Sequence, residues 1–316
     1  MESAITFDKA PALHFEAVLD PSAVRLYEGR SVEEIEDLDG TPGLCRAFEE
    51  SIVTGDFTRQ EQDEILNVLQ LATELHEDDR RRDSPDGLFI AHPIRAAIDA
   101  VRLGIRDAST IKAILLHDSV EDHAKDIIER YSETPPNQIA AMSPKEQQQE
   151  AVMLLGKQEE IGEDTAMLVA QVTNEPTPPD CKGNRSKKVA HYVKQVRTLF
   201  SGSEKKDIRA KFIKMLDQYD NAIRNHRTQD VRLQAKLDGK YAHTIGFFIN
   251  FLRDEIRCGD QQLISTEARL QLLQGFEAGH HRTMLRILRN SRAFRVGYNV
   301  ANLTFRNNNL ELGSYN

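Results

Sequence analysis

The sequence predicts an all-α protein, and three observations carry that reading. Apolar residues recur at the three- and four-residue spacing of a helix face along most of the 316 residues. Almost no segment alternates apolar and polar residues as a half-buried strand does. Helix start and stop residues sit where the spacing begins and ends. No internal repeat is visible.

The elements follow in order. Residues 1–58 form an N-terminal extension that mixes Pro, Gly, acidic and apolar residues with weak periodicity. Ala17-Val18-Leu19 and Ala23-Val24-Arg25-Leu26 suggest short helices there, and Gly40-Thr41-Pro42-Gly43 suggests a turn. Thr58 is suited to cap a helix over 59–77, with Glu61 at the capping-box position. A second helix is expected over 93–103. Pro93 suits its first turn and Gly104 its end. The next begins at Ser109 or Thr110 and carries His117 and Asp118, and 123–131 continue in helical pattern. Residues 132–148, with Thr134-Pro135-Pro136-Asn137 and Met142-Ser143-Pro144, read as an exposed part of an insertion at about 130–155. Helix returns at about 147–173. Glu175-Pro176-Thr177-Pro178-Pro179-Asp180 is excluded from helix by its prolines and is a candidate lid. Helices follow at about 184–199, 205–226, 229–257 and 260–291. The expected division is an extension over 1–58, a main domain over 59–257 and a C-terminal helical extension over 258–316.

Composition narrows the function. A net charge of −9 argues against broad binding of DNA or RNA, whose phosphate backbone would be repelled. A small polyphosphate could still bind at local basic clusters, which Arg80-Arg81-Arg82 and the stretch from Lys182 to Lys188 provide. Solvated surface is the usual fate of such runs. No apolar run is long enough to span a bilayer, and the N-terminus lacks a basic start followed by an apolar core. Cys45, Cys181 and Cys258 are scattered, which suggests reduced thiols and gives no cysteine pair for a structural zinc site. A cytoplasmic protein with no membrane partner is expected.

The chemistry concentrates at Ala113-Ile114-Leu115-Leu116-His117-Asp118-Ser119-Val120-Glu121-Asp122. On a helix, His117 would lie over Glu121 and Asp118 over Asp122, since residues i and i+4 share a face. An amphipathic helix with an acidic end is the bland alternative. Two other segments offer a ligand beside apolar residues: Leu88-Phe89-Ile90-Ala91-His92-Pro93, and Phe212 to Asn221, where Asp217 and Asn221 again stand four apart. His92, His117, Asp118 and Asp217 make a set of two imidazoles and two carboxylates. Such a set suits manganese, iron or zinc better than calcium.

These segments resemble the HD metal-dependent phosphohydrolases. The nearest branch is the hydrolase domain of RelA/SpoT proteins and the small alarmone hydrolases, including the metazoan SpoT homologue. His76, Arg80-Arg81-Arg82-Asp83 and Phe89-Ile90-Ala91-His92-Pro93 look like that branch's basic pair ahead of Tyr-Ile-x-His-Pro. Leu115-Leu116-His117-Asp118-Ser119-Val120-Glu121-Asp122 is similar to Leu-Leu-His-Asp-x-x-Glu-Asp. Val172-Thr173-Asn174-Glu175 precedes a basic stretch, Arg185-Ser186-Lys187-Lys188. Ile213-Lys214-Met215-Leu216-Asp217 to Asn221 is similar to Ile-Lys-Leu-Ala-Asp-x-x-x-Asn. The likeness runs from about residue 60 to 255. It departs at Gln218, where a basic residue is usual, at Asp220, where His or Tyr is usual, at the insertion, and at both extensions.

The resemblance implies an HD-domain helical bundle that hydrolyses the 3′-pyrophosphate of ppGpp or pppGpp to GDP or GTP and pyrophosphate. It implies manganese, or another divalent transition metal, held by His92, His117, Asp118 and Asp217. Glu121 and Asp122 would orient or deprotonate water or protonate the leaving oxygen, with the roles undivided between them. Arg81 and Arg82 would lie along the nucleotide, Asn221 would face its sugar, and Lys187 and Lys188 would clamp the terminal phosphate. The alternatives are an HD phosphohydrolase acting on a 5′-nucleotide, a dNTP or NADPH, and a regulatory module that binds an alarmone or a protein without turnover. A homo-oligomer stays open. His76 is expected on a helix surface or partly buried and satisfied, His123 at an exposed helix position, and His280 and His281 at the surface.

Overall fold

The computed structural model describes residues 27–81, 84, 86–201, 207–224, 231–258 and 263–289. Among them the protein is all-α, and the only strand-like pairing is an isolated antiparallel bridge between Arg80 and Leu88. Twelve α-helices occur in these residues. The expected short helices at 17–19 and 23–26 fall outside the described residues.

Helix α1 (Val32–Thr54) starts at Ser31, whose side chain accepts from Glu34 N in a capping box. The expected turn at 40–43 is a kink inside this helix. Gly40 takes φ 62°, a value an L side chain rarely adopts, and the helix then resumes. Asp86 fixes the kink by accepting from Thr41 N and Thr41 Oγ1 at 2.7 and 2.8 Å. The same carboxylate accepts from Ser84 Oγ and Leu88 N, so it ties the 79–90 loop to α1. Helix α2 (Arg59–Leu75) begins at Thr58 with Glu61 completing the capping box. Helix α3 (Ala91–Arg102) carries His92 and Pro93 in its first turn, and Gly104 at φ 90° follows its end.

Helix α4 (Ala108–Leu116) is the centre of the fold. All of its residues except Ser109 are buried, as an all-round apolar helix requires. It packs on α2, α3, α8 (Glu163–Val172) and α10 (Ile208–Gln218). Its cap is Asp107, whose side chain accepts from Thr110 N at 2.8 Å. The helix therefore starts before the expected Ser109 or Thr110. It also stops before His117. A new helix, α5 (Ser119–Tyr131), starts after Asp118.

The segment expected to be an exposed insertion is folded. Helix α6 (Pro136–Ala141) is short, and α7 (Pro144–Gly156) starts from a Ser143–Glu146 capping box and packs on α5 and α8. Within 132–148 only Ile139 is buried, so the segment is largely exposed as expected, while Ala151, Leu154 and Leu155 of the expected following helix join the core. The helix expected over 147–173 is two helices, broken before Gly162, whose φ is 82°. Helix α9 (Arg185–Ser201), α11 (Val231–Cys258) and α12 (Thr266–Arg289) complete the order. A wider π turn, Tyr219–Ile223, prolongs α10. Helix α12 packs on α11 and on this turn. Gly275 admits the Tyr219 ring so closely that an added Cβ would come within 2.5 Å of its hydroxyl. Cys45 is buried and its thiol is pushed up to about 12, which makes it inert.

Three helix starts are joined by one cation. The Arg209 guanidinium meets Asp164 at 2.6 Å, Asp207 at 2.7 Å and Asp107 at 3.3 Å, linking α8, α10 and α4. Hydrogen bonds from Arg209 hold the Asp164 and Asp207 carboxyls below their ordinary values. A carboxyl lowered in the folded state stabilises above its unfolded pKa and loses that stabilisation as pH falls through the folded one. Arg209→Gln therefore lowers the thermal midpoint at pH 7, and the deficit shrinks toward pH 3. Melting curves across that range check this, and an equal deficit at both ends would contradict it.

Candidate metal centre

The break between α4 and α5 builds the centre. Helix α4 delivers His117 as its C-cap and α5 opens on Asp118 as its N-cap, so the pair occupies a junction and not one continuous helix. His117 Nδ1 donates to Ile114 O at 2.7 Å, which leaves Nε2 facing inward. From α3, His92 Nδ1 donates to Asp220 Oδ2 at 2.6 Å, so its Nε2 also faces inward. From α10 comes Asp217.

Of the four ligands named from sequence, His92, His117 and Asp217 form a buried group that could hold a metal ion, and Asp118 lies beside the two imidazoles. His92 Nε2 and His117 Nε2 stand 3.2 Å apart. Asp118 Oδ2 lies 3.2 Å from His117 Nε2 and 3.6 Å from His92 Nε2. Asp217 Oδ1 lies 3.4 and 3.7 Å from the same two nitrogens. Donors about 2.1 Å from one ion are separated by about 3.0 to 3.4 Å in octahedral or tetrahedral arrangements. The set fits an ion in a second way. In neutral rings each Nδ1 holds the proton for its acceptor, so two lone pairs face each other at 3.2 Å beside two carboxylates. Only positive charge relieves that arrangement. His117 expresses the same field. Burial opposes its charge, yet Asp118 and Asp217 raise its pKa well above the ordinary value. Burial likewise opposes the Asp118 and Asp217 charges and is outweighed, by His117 for Asp118 and by Lys214 with the histidines for Asp217. Both carboxyls are held low.

Several supporting residues were not singled out from sequence. Asp220 is fully buried and receives Arg95 Nε at 2.7 Å, Arg95 Nη2 at 2.8 Å and Arg224 Nη1 at 3.0 Å besides His92. Arg95 in turn donates to buried Glu36 at 2.7 Å. Lys214, buried, holds Asp217 Oδ2 at 3.0 Å. Spacing offered a signal for two of these: His92 and Arg95 are three apart on α3, and Lys214 and Asp217 three apart on α10. Glu36 lies 59 positions from Arg95 and gave none.

Beside the centre opens a cavity of about 420 Å³. None of the four ligands lines it. Glu121 and Asp122 do, so they stand between the ligands and the open space. Both residues are exposed along part of their side chains, and protein packs around their carboxyl groups. That partial burial, with Asp118 close by, raises Glu121 above its ordinary value. The same partial burial, with Asp118 and Glu121, raises Asp122 to about 6. Asn174 Nδ2 donates to Glu121 Oε2 at 2.6 Å. Arg185, Lys188, Lys236 and Lys240 bring positive charge to the cavity. Glu175, Pro176 and Thr177 of the expected lid loop form part of its wall.

The other sequence-named residues divide. Asn221 donates to Asp217 Oδ1 at 2.5 Å, as the four-residue spacing suggested, and accepts from Arg81 Nη2 at 3.0 Å. The Arg81 guanidinium lies 5.5 Å from the centre of the Phe89 ring. Arg82 lies outside the described residues. Lys188 lines the cavity, whereas Lys187 is bound to Asp180 at 3.1 Å. His123, expected at an exposed position, is partly buried against Asp79 and Asp126. His76 is buried and satisfied, His281 is exposed and His280 half-buried.

No family model, no curated protein and no solved structure matches the chain.

Partners that orient a metal-bound histidine typically contribute 10- to 100-fold in metal affinity. Asp220→Asn keeps the shape but lowers the negative charge on His92 Nδ1–H. Metal affinity, read by calorimetric titration, falls by roughly that factor while the fold persists by circular dichroism. Unchanged affinity would remove Asp220 from the centre.

Proposed function

We propose that the protein is a metal-dependent phosphohydrolase whose substrate is a guanosine nucleotide bearing a 3′-pyrophosphate, cleaved to GDP or GTP and pyrophosphate. One observation carries the reading. Two imidazoles and two carboxylates lie beside a cavity lined by five cationic side chains, Lys125, Arg185, Lys188, Lys236 and Lys240, in a chain of net charge −9. Positive charge at one place on an acidic protein favours a compact anion such as a nucleotide polyphosphate. The likeness of four sequence segments to the alarmone hydrolases supplies the specific nucleotide.

A divalent transition ion, manganese by that likeness, supplies charge neutralisation and water activation when bound. The chain's own residues supply the rest. Burial raises the Glu121 carboxyl and brings Asp122 to about 6, close to the range in which a carboxyl exchanges protons most effectively with an attacking water or a leaving oxygen. Asn174 fixes the Glu121 carboxylate. Lys188, Lys236 and Lys240 offset phosphate charge from the cavity wall. Arg81 lies along the nucleotide and, through Asn221, steadies Asp217.

Gln218 favours a second reading, hydrolysis of another nucleotide. It stands where the alarmone hydrolases carry a basic residue. It is buried, with its Oε1 accepting from Thr244 Oγ1 and its Nε2 directed at Asp217. It therefore offers no charge to a substrate.

The test is purified protein with manganese and a panel of nucleotides that includes ppGpp. Pyrophosphate released from the 3′ position supports the first reading, orthophosphate the second, and no turnover of any member sinks both. His117→Ala and Asp118→Ala abolish turnover. Glu121→Gln lowers kcat by about 10²- to 10⁴-fold, the usual reach of a proton-transfer group, with metal content unchanged. Wild-type rates in these variants would displace the site.

A further inference from the structure

A second group of metal-type donors lies next to the first and takes no part in the reaction proposed above. His76 is the C-cap of α2, Asp79 follows in the turn, and His123 comes from α5. His76 Nδ1 and His123 Nε2 lie 2.7 and 2.8 Å from the same oxygen, Asp79 Oδ2, and 3.1 Å from each other. We propose that His76, Asp79 and His123 bind a second divalent transition-metal ion, separate from the one at His92 and His117.

Several observations support a cation there. The donor set is two imidazoles and one carboxylate, the mixed nitrogen and oxygen chemistry that zinc, manganese, iron and nickel share. The three donor atoms form a compact triangle drawn from residues up to 47 positions apart. The 3.1 Å between the two nitrogens matches neighbouring ligands on one ion, and the two contacts to Asp79, of hydrogen-bond length, lengthen slightly when an ion replaces the shared protons. Helix α5 departs from helical dihedrals at His123 (φ −125°, ψ 25°), where the imidazole joins the triangle.

The far nitrogen of each ring is also held. His76 Nε2 meets Ser119 Oγ at 3.3 Å and His123 Nδ1 meets Asp126 Oδ2 at 2.9 Å. Such outer partners orient metal-bound histidines in general, and a carboxylate is a common choice. The Asp79 carboxylate meets two imidazoles and no Lys or Arg among the described residues. Asp118, Asp122 and Asp126 add negative charge around the group.

Burial leaves room to complete the coordination. His76 is buried and forms the floor, while Asp79 and His123 are partly open to water. The group touches the first centre through two links. Phe89 stacks on His76 at 4.6 Å and meets His92 edge-on at 6.1 Å. Ser119, which holds His76, directly follows Asp118. An ion at His76 would thus brace the junction that positions the first set of ligands.

Metal alone is the probe. Full-length metal-free protein is dialysed to equilibrium against cobalt(II), bound metal is counted by elemental analysis, and the visible cobalt bands are recorded. Wild type binds two equivalents. His123→Ala and Asp79→Asn each bind one, with circular dichroism confirming the fold, and His117→Ala also binds one. Binding of a single equivalent that His117→Ala removes would overturn the proposal, as would two equivalents retained in both His123→Ala and Asp79→Asn. A single equivalent that survives His117→Ala and is lost in His123→Ala would uphold this second site while removing the first centre and the hydrolase reading with it.

Discussion

The Asp220 carboxylate, sealed from water, is the constraint on which the rest depends. Buried charge is costly unless it is fully paired, and one partner removed leaves several others exposed to that cost. Asp220 meets His92, Arg95 and Arg224, and these reach Glu36, Glu33 and Asp99. Burial opposes the Asp220 charge and Arg95 outweighs it, so its pKa lies well below the ordinary value. The network therefore joins α1, α3 and the π turn by charge pairs that tolerate little displacement. Its output is local. It places a proton on His92 Nδ1 and turns the Nε2 lone pair toward the ligand point.

The second constraint is the break at His117. One continuous helix would have stacked His117 over Glu121 along a single face. The junction instead hands His117 and Asp118 to the ligand point and leaves Glu121 and Asp122 in the first turn of the next helix, on the cavity side. The metal-type donors and the cavity carboxylates are thereby separated. The Asp118 and Asp217 carboxyls are held low by neighbouring cations, while the cavity carboxyls are raised by burial and by Asp118. Four acidic residues, two beside the imidazoles and two on the cavity wall, are shifted in opposite directions by their surroundings alone.

The outlying helices also bear on the site. Helix α12 approaches the π turn through Gly275 and Tyr219, and Phe276 meets Tyr219 at 5.4 Å. Helix α1 reaches the centre through Glu36 and Glu33. Segments that look like appendages in the sequence thus pack against the elements that carry Asp217 and Asp220. No helix among the described residues is long and apolar enough to cross a membrane.

Helical class, the starts at Thr58 and near Pro93, and the grouping of His92, His117 and Asp217 were legible in the sequence. Capping and periodicity are local properties, and a His or Asp beside an apolar run is held at the edge of a core wherever the chain folds. The π turn, the kink at Gly40, the short helix over 136–141 and the Asp220 network were not legible. Each depends on residues tens of positions apart, such as Asp86 beside Thr41 or Arg95 beside Glu36. The sequence by itself determined which side chains can carry metal and proton chemistry. Only the tertiary structure decided which carboxylates surround the ligand point, which face the cavity, and which lock the histidines. Those outcomes follow from burial and from the charges that packing brings within a few ångströms, and neither is written in local order.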